Sequence, residues 1–191
     1  FAFFHPAMPD EPLIFVEVAL TQGIPGSVQT LLAEDRAALP AEKADTAVFY
    51  SISNCQAALA GISFGNSLIK QVAADLSISL PGVKTFVTLS PIPGLAAWLA
   101  ERDVTLDPDQ PERMRALAAD YLLNAKDERG QPRDPVARFH LGNGARVQHL
   151  HAGADVSAKG QAQSGGVMVN YLYDLARVAQ NHDRFASTGE I

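Results

Sequence analysis

The chain has 191 residues, of which 47% are apolar and 19% are charged, so it is long and apolar enough to form one compact domain with a sizeable core. Its net charge of -6 argues against binding to nucleic acid or to an anionic membrane surface, because both need a basic face. Its longest apolar stretches are interrupted by charge and are shorter than the about 20 residues needed to cross a bilayer. We therefore expect one domain over residues 1–191, with no nucleic-acid partner and no membrane span.

The single cysteine, Cys55, cannot form a disulfide within the chain, which favours a reducing, cytoplasmic compartment. With no base near it in sequence, we interpret Cys55 as a small apolar residue and not as a nucleophile. No spacing of cysteine and histidine resembles a zinc site, so we expect no metal. The chain begins inside an apolar run, Phe1–His5, without an initiator methionine, and we interpret it as a fragment or processed product whose targeting region cannot be judged.

The first half of the chain alternates between strand and helix patterns. Leu13–Leu20 and Ala47–Ser53 are apolar, β-branched runs typical of buried strands. Between them, Ser27–Ala38 has apolar residues at near-helical spacing, and Ser27 can cap the N-terminus. Asn66–Leu76 follows a glycine-containing turn and has apolar positions along one helical face. The order strand, helix, strand, helix follows.

A further strand is predicted to end at a serine. Lys84–Leu89 has a strand pattern and runs into Ser90, which is followed by Pro91 and Pro93. Proline disfavours both a helix and pairing in the middle of a sheet. We therefore expect Ser90 at a rigid exit from the strand.

The second half continues the alternation. Leu95–Glu101 and Arg113–Lys126 have the pattern of a short and a longer helix. His140–Gly144 has the composition of a turn, and Ala145–His151 alternates like a strand. Together these patterns indicate an α/β domain with a mixed sheet flanked by helices.

The C-terminal segment contains two candidate ligand-binding residues. A Gly- and Ser-rich connection, Ser157–Gly166, precedes a predicted final helix at about Val167–Ala179. Asn170 and Tyr173 would lie three residues apart on one side of this helix, where each could hydrogen-bond a ligand. The alternative is that Tyr173 belongs to the core, as tyrosine at helical spacing commonly does.

The segment Ser53–Lys70 combines a strand end, Gly61, Gly65 and a following helix. Glycines let backbone N–H groups approach a ligand, and a helix N-terminus favours anions, so the arrangement suits a pyrophosphate. On spacing alone, an ordinary strand-to-helix turn explains it better, because the dinucleotide and P-loop fingerprints are absent.

Two polar residues are candidates for proton transfer. Ser90 lies between a strand and two prolines, and His140 stands before several turn residues that could hold its ring in one orientation. Local chemistry alone favours a plain turn for Ser90 and a surface or capping role for His140. Neither residue would be selected without further information.

Five segments, in this order, resemble malonyl-CoA decarboxylases. They are HPAMPDEPLIFVEVALT at 5–21, FYSISNCQAALAGISFGNSLIK at 49–70, TLSPIPG at 88–94, DPVARFHLGNGA at 134–145 and MVNYLY at 168–173. The resemblance implies a fold like that of the GCN5-related N-acetyltransferases (GNAT), with a strand, glycine loop and helix that hold the pyrophosphate of coenzyme A. It also implies a preceding helical domain, used in oligomerisation, that this chain does not contain, and so a homo-oligomer in the full-length protein.

The resemblance assigns roles to particular residues. It places the family's catalytic serine, histidine and tyrosine at Ser90, His140 and Tyr173, and we expect Asn170 to bind substrate. The implied cradle for coenzyme A consists of Ala60, Gly61, Ile62, Ser63, Phe64, Gly65 and Asn66. The chain departs from the family pattern at Ser63, where relatives carry glutamate, at His151 and Ala152, where they carry Asn-Trp, and in a shortened connection at 101–113.

The implied reaction is loss of CO2 from malonyl-CoA to leave a thioester enolate, which is protonated to acetyl-CoA. The thioester is the electron sink, so we expect no cofactor beyond the coenzyme A of the substrate. Two alternatives remain open at this point. The chain could be an N-acetyltransferase of the same fold, which would not require Ser90 and His140 together, or a non-catalytic acyl-CoA-binding module.

Overall fold

A computed structural model describes residues 1–55 and 65–189 of the protein. The strands are β1 (Ala2–His5), β2 (Met8–Thr21), β3 (Thr46–Asn54), β4 (Thr85–Thr88), β5 (Ser90–Pro91), β6 (Arg146–His151) and β7 (Met168–Leu172). The α-helices are α1 (Val28–Leu32), α2 (Gly65–Ser79), α3 (Leu95–Ala100), α4 (Pro111–Asn124), α5 (Pro135–Gly142), α6 (Ala158–Ser164) and α7 (Val178–Thr188), and Ala41–Lys43 forms one 3-10 turn. The fold is of the α/β class, as predicted.

The chain forms two compact units. The first contains Phe1–Ile24 and Ala38–Val87, and the second contains Pro25–Ala37 and Thr88–Ile191. In the first unit the strand order is β1-β2-β3-β4, and β2 runs antiparallel to both β1 and β3. The side chains of β2 alternate, with Ile14 and Val16 buried and Phe15 exposed, as expected of a strand with one face on a core. The strands predicted at 13–20 and 47–53 and the helix predicted at 66–76 are confirmed as β2, β3 and α2.

In the second unit β7 pairs antiparallel with both β5 and β6. The predicted helix at 167–179 is therefore wrong: Met168–Leu172 is a strand, and the final helix begins only at Val178. Four of the five residues of this strand are buried. A strand buried on both faces shows a continuous apolar run, which sequence periodicity does not separate from a buried helix.

Two helices differ further from the sequence-based expectation. The helix predicted at 27–38 ends at Leu32, although Ser27 caps it as expected by accepting a hydrogen bond from the Thr30 N–H at 3.3 Å. The Gly- and Ser-rich connection at 157–166 contains the helix α6. Ser157 accepts from the Gly160 N–H at 3.0 Å, and Gly165 ends the helix in the left-handed conformation.

The remaining predicted elements of the second unit are confirmed with small changes in their bounds. The helices expected at 95–101 and 113–126 are α3 and α4, and the strand expected at 145–151 is β6. The most deeply buried large side chains of this unit include Leu95, Leu99, Met114 and Tyr171. Within residues 1–55 and 65–189, none of the helices has the length and apolar character needed to span a membrane.

Gly142 and Gly144, two residues apart in the sequence, give a matched pair of variants for testing stability. Gly144 has φ 82°, and a Cβ there would lie 2.0 Å from the Val178 carbonyl oxygen. We expect Gly144→Ala to lower the free energy of unfolding by about 2 kcal/mol or more, through backbone strain and this overlap. A Cβ on Gly142 would meet nothing closer than 4.0 Å, so Gly142→Ala should be neutral or stabilising by up to about 1 kcal/mol. Urea denaturation of both variants checks this, and equal stabilities would contradict it.

Candidate active site

Ser90 is the first residue of a short strand, β5, which begins two residues after the last residue of β4. The strand β4 ends at Thr88, Leu89 interrupts it, and Ser90 with Pro91 then pairs with Val169 and Met168 of β7. The predicted exit from the strand at Ser90 is thus corrected to a short additional strand. Pro91 is tolerated there because β5 stands last in the strand order of the sheet. Ser90 is 6% exposed, so its hydroxyl group is held inside the unit.

His140 lies in the last turn of a helix, not in the turn predicted at 140–144. Asp134 caps the N-terminus of α5. Its carboxylate accepts hydrogen bonds from the Val136 and Ala137 N–H groups at 3.0 and 2.9 Å. Pro135 occupies the first helical position, where its missing N–H costs nothing. The turn residues only end the helix, because Gly144 adopts the left-handed conformation two residues after Gly142.

The structure brings together the three residues that were predicted to be catalytic. The Ser90 Oγ lies 3.2 Å from the His140 Nε2, and the Tyr173 hydroxyl lies 2.8 Å from the His140 Nδ1. His140 and Tyr173 are 4% and 1% exposed. The imidazole therefore has a hydrogen-bonding partner on each nitrogen, which fixes the orientation of its ring.

Aromatic rings surround the imidazole. His140 stacks on Tyr171, with ring centroids 4.6 Å apart and an interplanar angle of 24°, and its edge faces Phe139 and Tyr173. Burial lowers the pKa of His140 from its ordinary value of 6.5 to about 3. Burial also raises the pKa of Tyr173 well above 10, outweighing the Asn143 side chain, which acts to lower it. Near neutral pH and without substrate, the site thus holds a neutral imidazole and a protonated phenol.

The lowered pKa of His140 predicts how stability depends on pH. Between pH 6.5 and about 3 the unfolded chain binds a proton at this histidine and the folded chain does not, so stability falls as the pH falls through this window. We expect this residue to contribute a slope of up to about 1.4 kcal/mol per pH unit. Urea denaturation at pH 7 to 4.5 should show a shallower slope for His140→Asn than for the parent protein. Replacing the exposed His149 by Asn is the control and should leave the slope unchanged; equal slopes for all three proteins would contradict the prediction.

Asn170 does not share a helical face with Tyr173, because both belong to β7 and its immediate continuation. Its side-chain N–H group donates to the Thr88 and Pro25 carbonyl oxygens at 2.8 and 3.3 Å, and its Oδ1 lies 2.5 Å from the His151 Nε2. Asn170 is fully buried, and its amide is bound to the protein on both sides. Its role in binding substrate stays a prediction.

The predicted cradle for coenzyme A lies mostly outside the described residues. Ala60, Gly61, Ile62, Ser63 and Phe64 belong to that part, whereas Gly65 and Asn66 form the first turn of α2. A helix begins where the sequence predicted one, but the role of the cradle is untested. Cys55, interpreted from the sequence as a small apolar residue and not a nucleophile, is exposed.

Sequence reasoning missed Thr88 and Tyr171 as parts of this site. The Thr88 Oγ1 lies 2.8 Å from the Ser90 Oγ and accepts a hydrogen bond from the Tyr171 N–H at 3.1 Å. A signal was present for Thr88, because residues two apart in a strand point to the same face. None was present for Tyr171, since the segment that carries it was predicted to be a helix.

Comparison with known proteins decides the family. The family model described as "Malonyl-CoA decarboxylase C-terminal domain" matches residues 1–112 and 105–191. The chain belongs to the malonyl-CoA decarboxylase family. The two matched stretches overlap at residues 105–112, which lie inside the connection at 101–113 that we expected to be shortened.

Individual relatives agree with this assignment. A curated malonyl-CoA decarboxylase of the goose Anser anser anser, named as mitochondrial, is 35% identical and covers 99% of this chain and 47% of its own length. A crystal structure of malonyl-CoA decarboxylase from Rhodopseudomonas palustris is 48% identical with a TM-score of 0.90, and covers 100% of this chain and 50% of its own. The chain thus spans about half the length of the relatives that it matches.

A more distant structure supports the predicted fold. A GNAT-like decarboxylase in complex with isobutyryl-CoA matches with a TM-score of 0.60 at 21% identity, covering 90% of this chain and 75% of its own. At this identity the similarity concerns the fold alone. The mixed, GNAT-like sheet flanked by helices is therefore confirmed.

Proposed function

We propose that this chain is the catalytic part of a malonyl-CoA decarboxylase, converting malonyl-CoA into acetyl-CoA and CO2. The observation that carries the proposal is the buried set of Ser90, His140 and Tyr173, joined at both imidazole nitrogens by contacts of 3.2 and 2.8 Å. The membership of the chain in this family supplies the substrate. Because the chain spans only about half of its relatives, its own activity is the point to test.

The reaction needs a site that stabilises negative charge and then delivers a proton. When the carbon–carbon bond to the carboxylate breaks, CO2 leaves and the electron pair moves onto the thioester, giving an enolate. Ser90 and His140 can donate hydrogen bonds to the carboxylate or to the thioester oxygen, and buried donors act strongly because water does not compete. We assign to His140 the proton that reaches the enolate carbon, directly or through Ser90 or water.

The neutral imidazole can become the required acid when substrate binds. An anion next to a histidine favours its charged form, so a malonyl carboxylate beside His140 would raise the pKa of His140 and draw a proton from solvent. The charge of the departing carboxylate passes to the enolate, and the imidazolium proton then neutralises it. The overall reaction consumes one proton, and the imidazole returns to its neutral form.

Several further features belong to the same proposal. We infer that the segment Ala60–Asn66 holds the pyrophosphate of coenzyme A, that Asn170 contributes to binding substrate, and that no cofactor is needed. We also propose that the full-length protein is a homo-oligomer and acts in cytoplasmic fatty acid metabolism. The family resemblance supports the cradle, the homo-oligomer and the role in fatty acid metabolism, whereas the cytoplasmic location rests on the single cysteine. Each statement needs its own measurement.

The deciding experiment is incubation of the purified protein with malonyl-CoA alone. A decarboxylase releases CO2 and forms acetyl-CoA in equal amounts with no other reactant. Conversion of an added amine by acetyl-CoA, with no release of CO2 from malonyl-CoA, would instead identify an acetyltransferase. Tight binding of malonyl-CoA with no product would identify a non-catalytic acyl-CoA-binding module, and either result would overturn the proposal.

A further inference from the structure

Thr88 stands at the end of a hydrogen-bonded series that runs through the catalytic candidates. It is fully buried, and its Oγ1 lies 2.8 Å from the Ser90 Oγ. Its backbone is fixed as well, because its carbonyl oxygen accepts from the Asn170 side chain at 2.8 Å. The Tyr171 N–H donates to its hydroxyl oxygen at 3.1 Å, which holds the side chain in one orientation. The series therefore runs from Tyr173 through His140 and Ser90 to a rigidly held Thr88.

A neutral imidazole carries a proton on only one of its two nitrogens. The direction of each hydrogen bond in the series therefore depends on the direction of its neighbours. The Tyr173 hydroxyl lies 2.8 Å from the His140 Nδ1, and the Asn143 side chain is a second hydrogen-bonding partner of this hydroxyl. A buried hydroxyl that donates to Nδ1 leaves the imidazole proton on Nε2. The Nε2–H then faces the Ser90 oxygen at 3.2 Å, so Ser90 must send its own proton elsewhere. Thr88 provides the acceptor for it.

We propose that Thr88 is a positioning residue: by accepting the Ser90 hydroxyl proton, it keeps the single proton of His140 on Nε2, the nitrogen that faces Ser90. The opposite order, in which Ser90 donates to Nε2, would place the proton on Nδ1, and Tyr173 would then accept from His140 and donate to the Asn143 side chain instead. Burial favours a neutral imidazole near neutral pH, so a single nitrogen carries the proton, and the direction of the hydrogen bond from Ser90 to Thr88 favours Nε2.

For the reaction, this inference rests on the proposed function. An Nε2–H directed towards Ser90 places a donor on the side of the ring where the proposed chemistry needs one, before substrate binding adds the second proton to the imidazole. Donors that are already oriented need no rearrangement when charge develops. Thr88 would thereby influence turnover without touching the substrate.

The test is the 15N NMR spectrum of protein labelled at histidine, which distinguishes a nitrogen that carries a proton from one that does not. The His140 signals are assigned by their loss in His140→Asn. We expect the parent protein to show a protonated Nε2 and an unprotonated Nδ1. In Thr88→Val, Ser90 loses its acceptor and donates to Nε2, so the two signals should exchange their types. Thr88→Ser keeps a hydroxyl and should restore the parent pattern.

Turnover provides the second measurement. We expect Thr88→Val to lower kcat for malonyl-CoA on the order of 10- to 100-fold, with a small change in KM, and Thr88→Ser to recover most of it. If valine prevents folding, Thr88→Ala removes the same acceptor with less bulk. A parent protein with its proton on Nδ1, or a folded Thr88→Val or Thr88→Ala variant with unchanged NMR signals, would overturn the inference. The NMR result needs no substrate, so it stands or falls separately from the malonyl-CoA assay.

Discussion

Replacing His140 by Asn should lower the turnover of malonyl-CoA by about 100-fold or more, the usual effect of losing a general acid. Asparagine can keep a polar atom near the position of Nδ1, where Tyr173 binds, but it has nothing at the position of Nε2. The variant therefore loses the group that faces Ser90 at 3.2 Å while retaining much of the buried polar environment. Steady-state release of CO2 gives the turnover, and calorimetric titration with coenzyme A gives the affinity, which should stay close to that of the parent.

The matched control is His5→Asn, which changes an exposed histidine in β1 and should leave turnover unaltered. Thermal denaturation of both variants shows whether a loss of turnover reflects unfolding. A folded His140→Asn protein with parental turnover would remove His140 from the mechanism. A parallel loss of coenzyme A affinity would indicate that the residue supports the binding site and not the chemical step.

Much of the fold follows from patterns that the sequence shows plainly. The run at 13–20 is apolar and β-branched, and the helices at 66–76 and 113–126 have regular apolar faces, so each element shows a local pattern of its own. β7 does not, because Val169 and Tyr171 are buried along with Met168 and Asn170. A segment that is buried on both faces shows no alternation. Which strands pair with such a segment depends on residues far away in the sequence, so local patterns do not predict it.

In the site, too, contacts between residues close in sequence could be predicted, whereas contacts between distant residues could not. The position of Ser90 next to Thr88 is local, and the two-residue spacing in a strand is enough to predict it. The contact between Ser90 and His140 joins residues 50 positions apart, and that between His140 and Tyr173 joins residues 33 apart. No periodicity reports such contacts, so only the resemblance to a family indicated that these residues act together. The helical position of His140 was missed because turn residues follow it so closely.

Replacing Ser90 by Ala should also lower turnover by about 100-fold or more, the size of effect seen when one buried hydrogen-bond donor to a developing negative charge is removed. The change deletes one atom and leaves the backbone pairing of β5 with β7 intact, so we expect little loss of stability. Ser187→Ala, an exposed serine in α7, is the control and should retain full turnover. The measurement is again CO2 release from malonyl-CoA, with a thermal scan to confirm folding.

The double variant Ser90→Ala with His140→Asn tests whether the two residues act as one unit. Groups that cooperate in a single step give non-additive effects, because the second loss removes nothing once the first has broken the arrangement. Since the two side chains touch each other in a buried site, we expect the double variant to be no slower than the slower single variant, within about threefold. Losses that multiply to about 10,000-fold would instead mean that Ser90 and His140 contribute independently, for example at separate oxygens of the substrate. In that case the hydrogen bond between them would not take part in the reaction, and the proton would reach the enolate carbon without passing through Ser90.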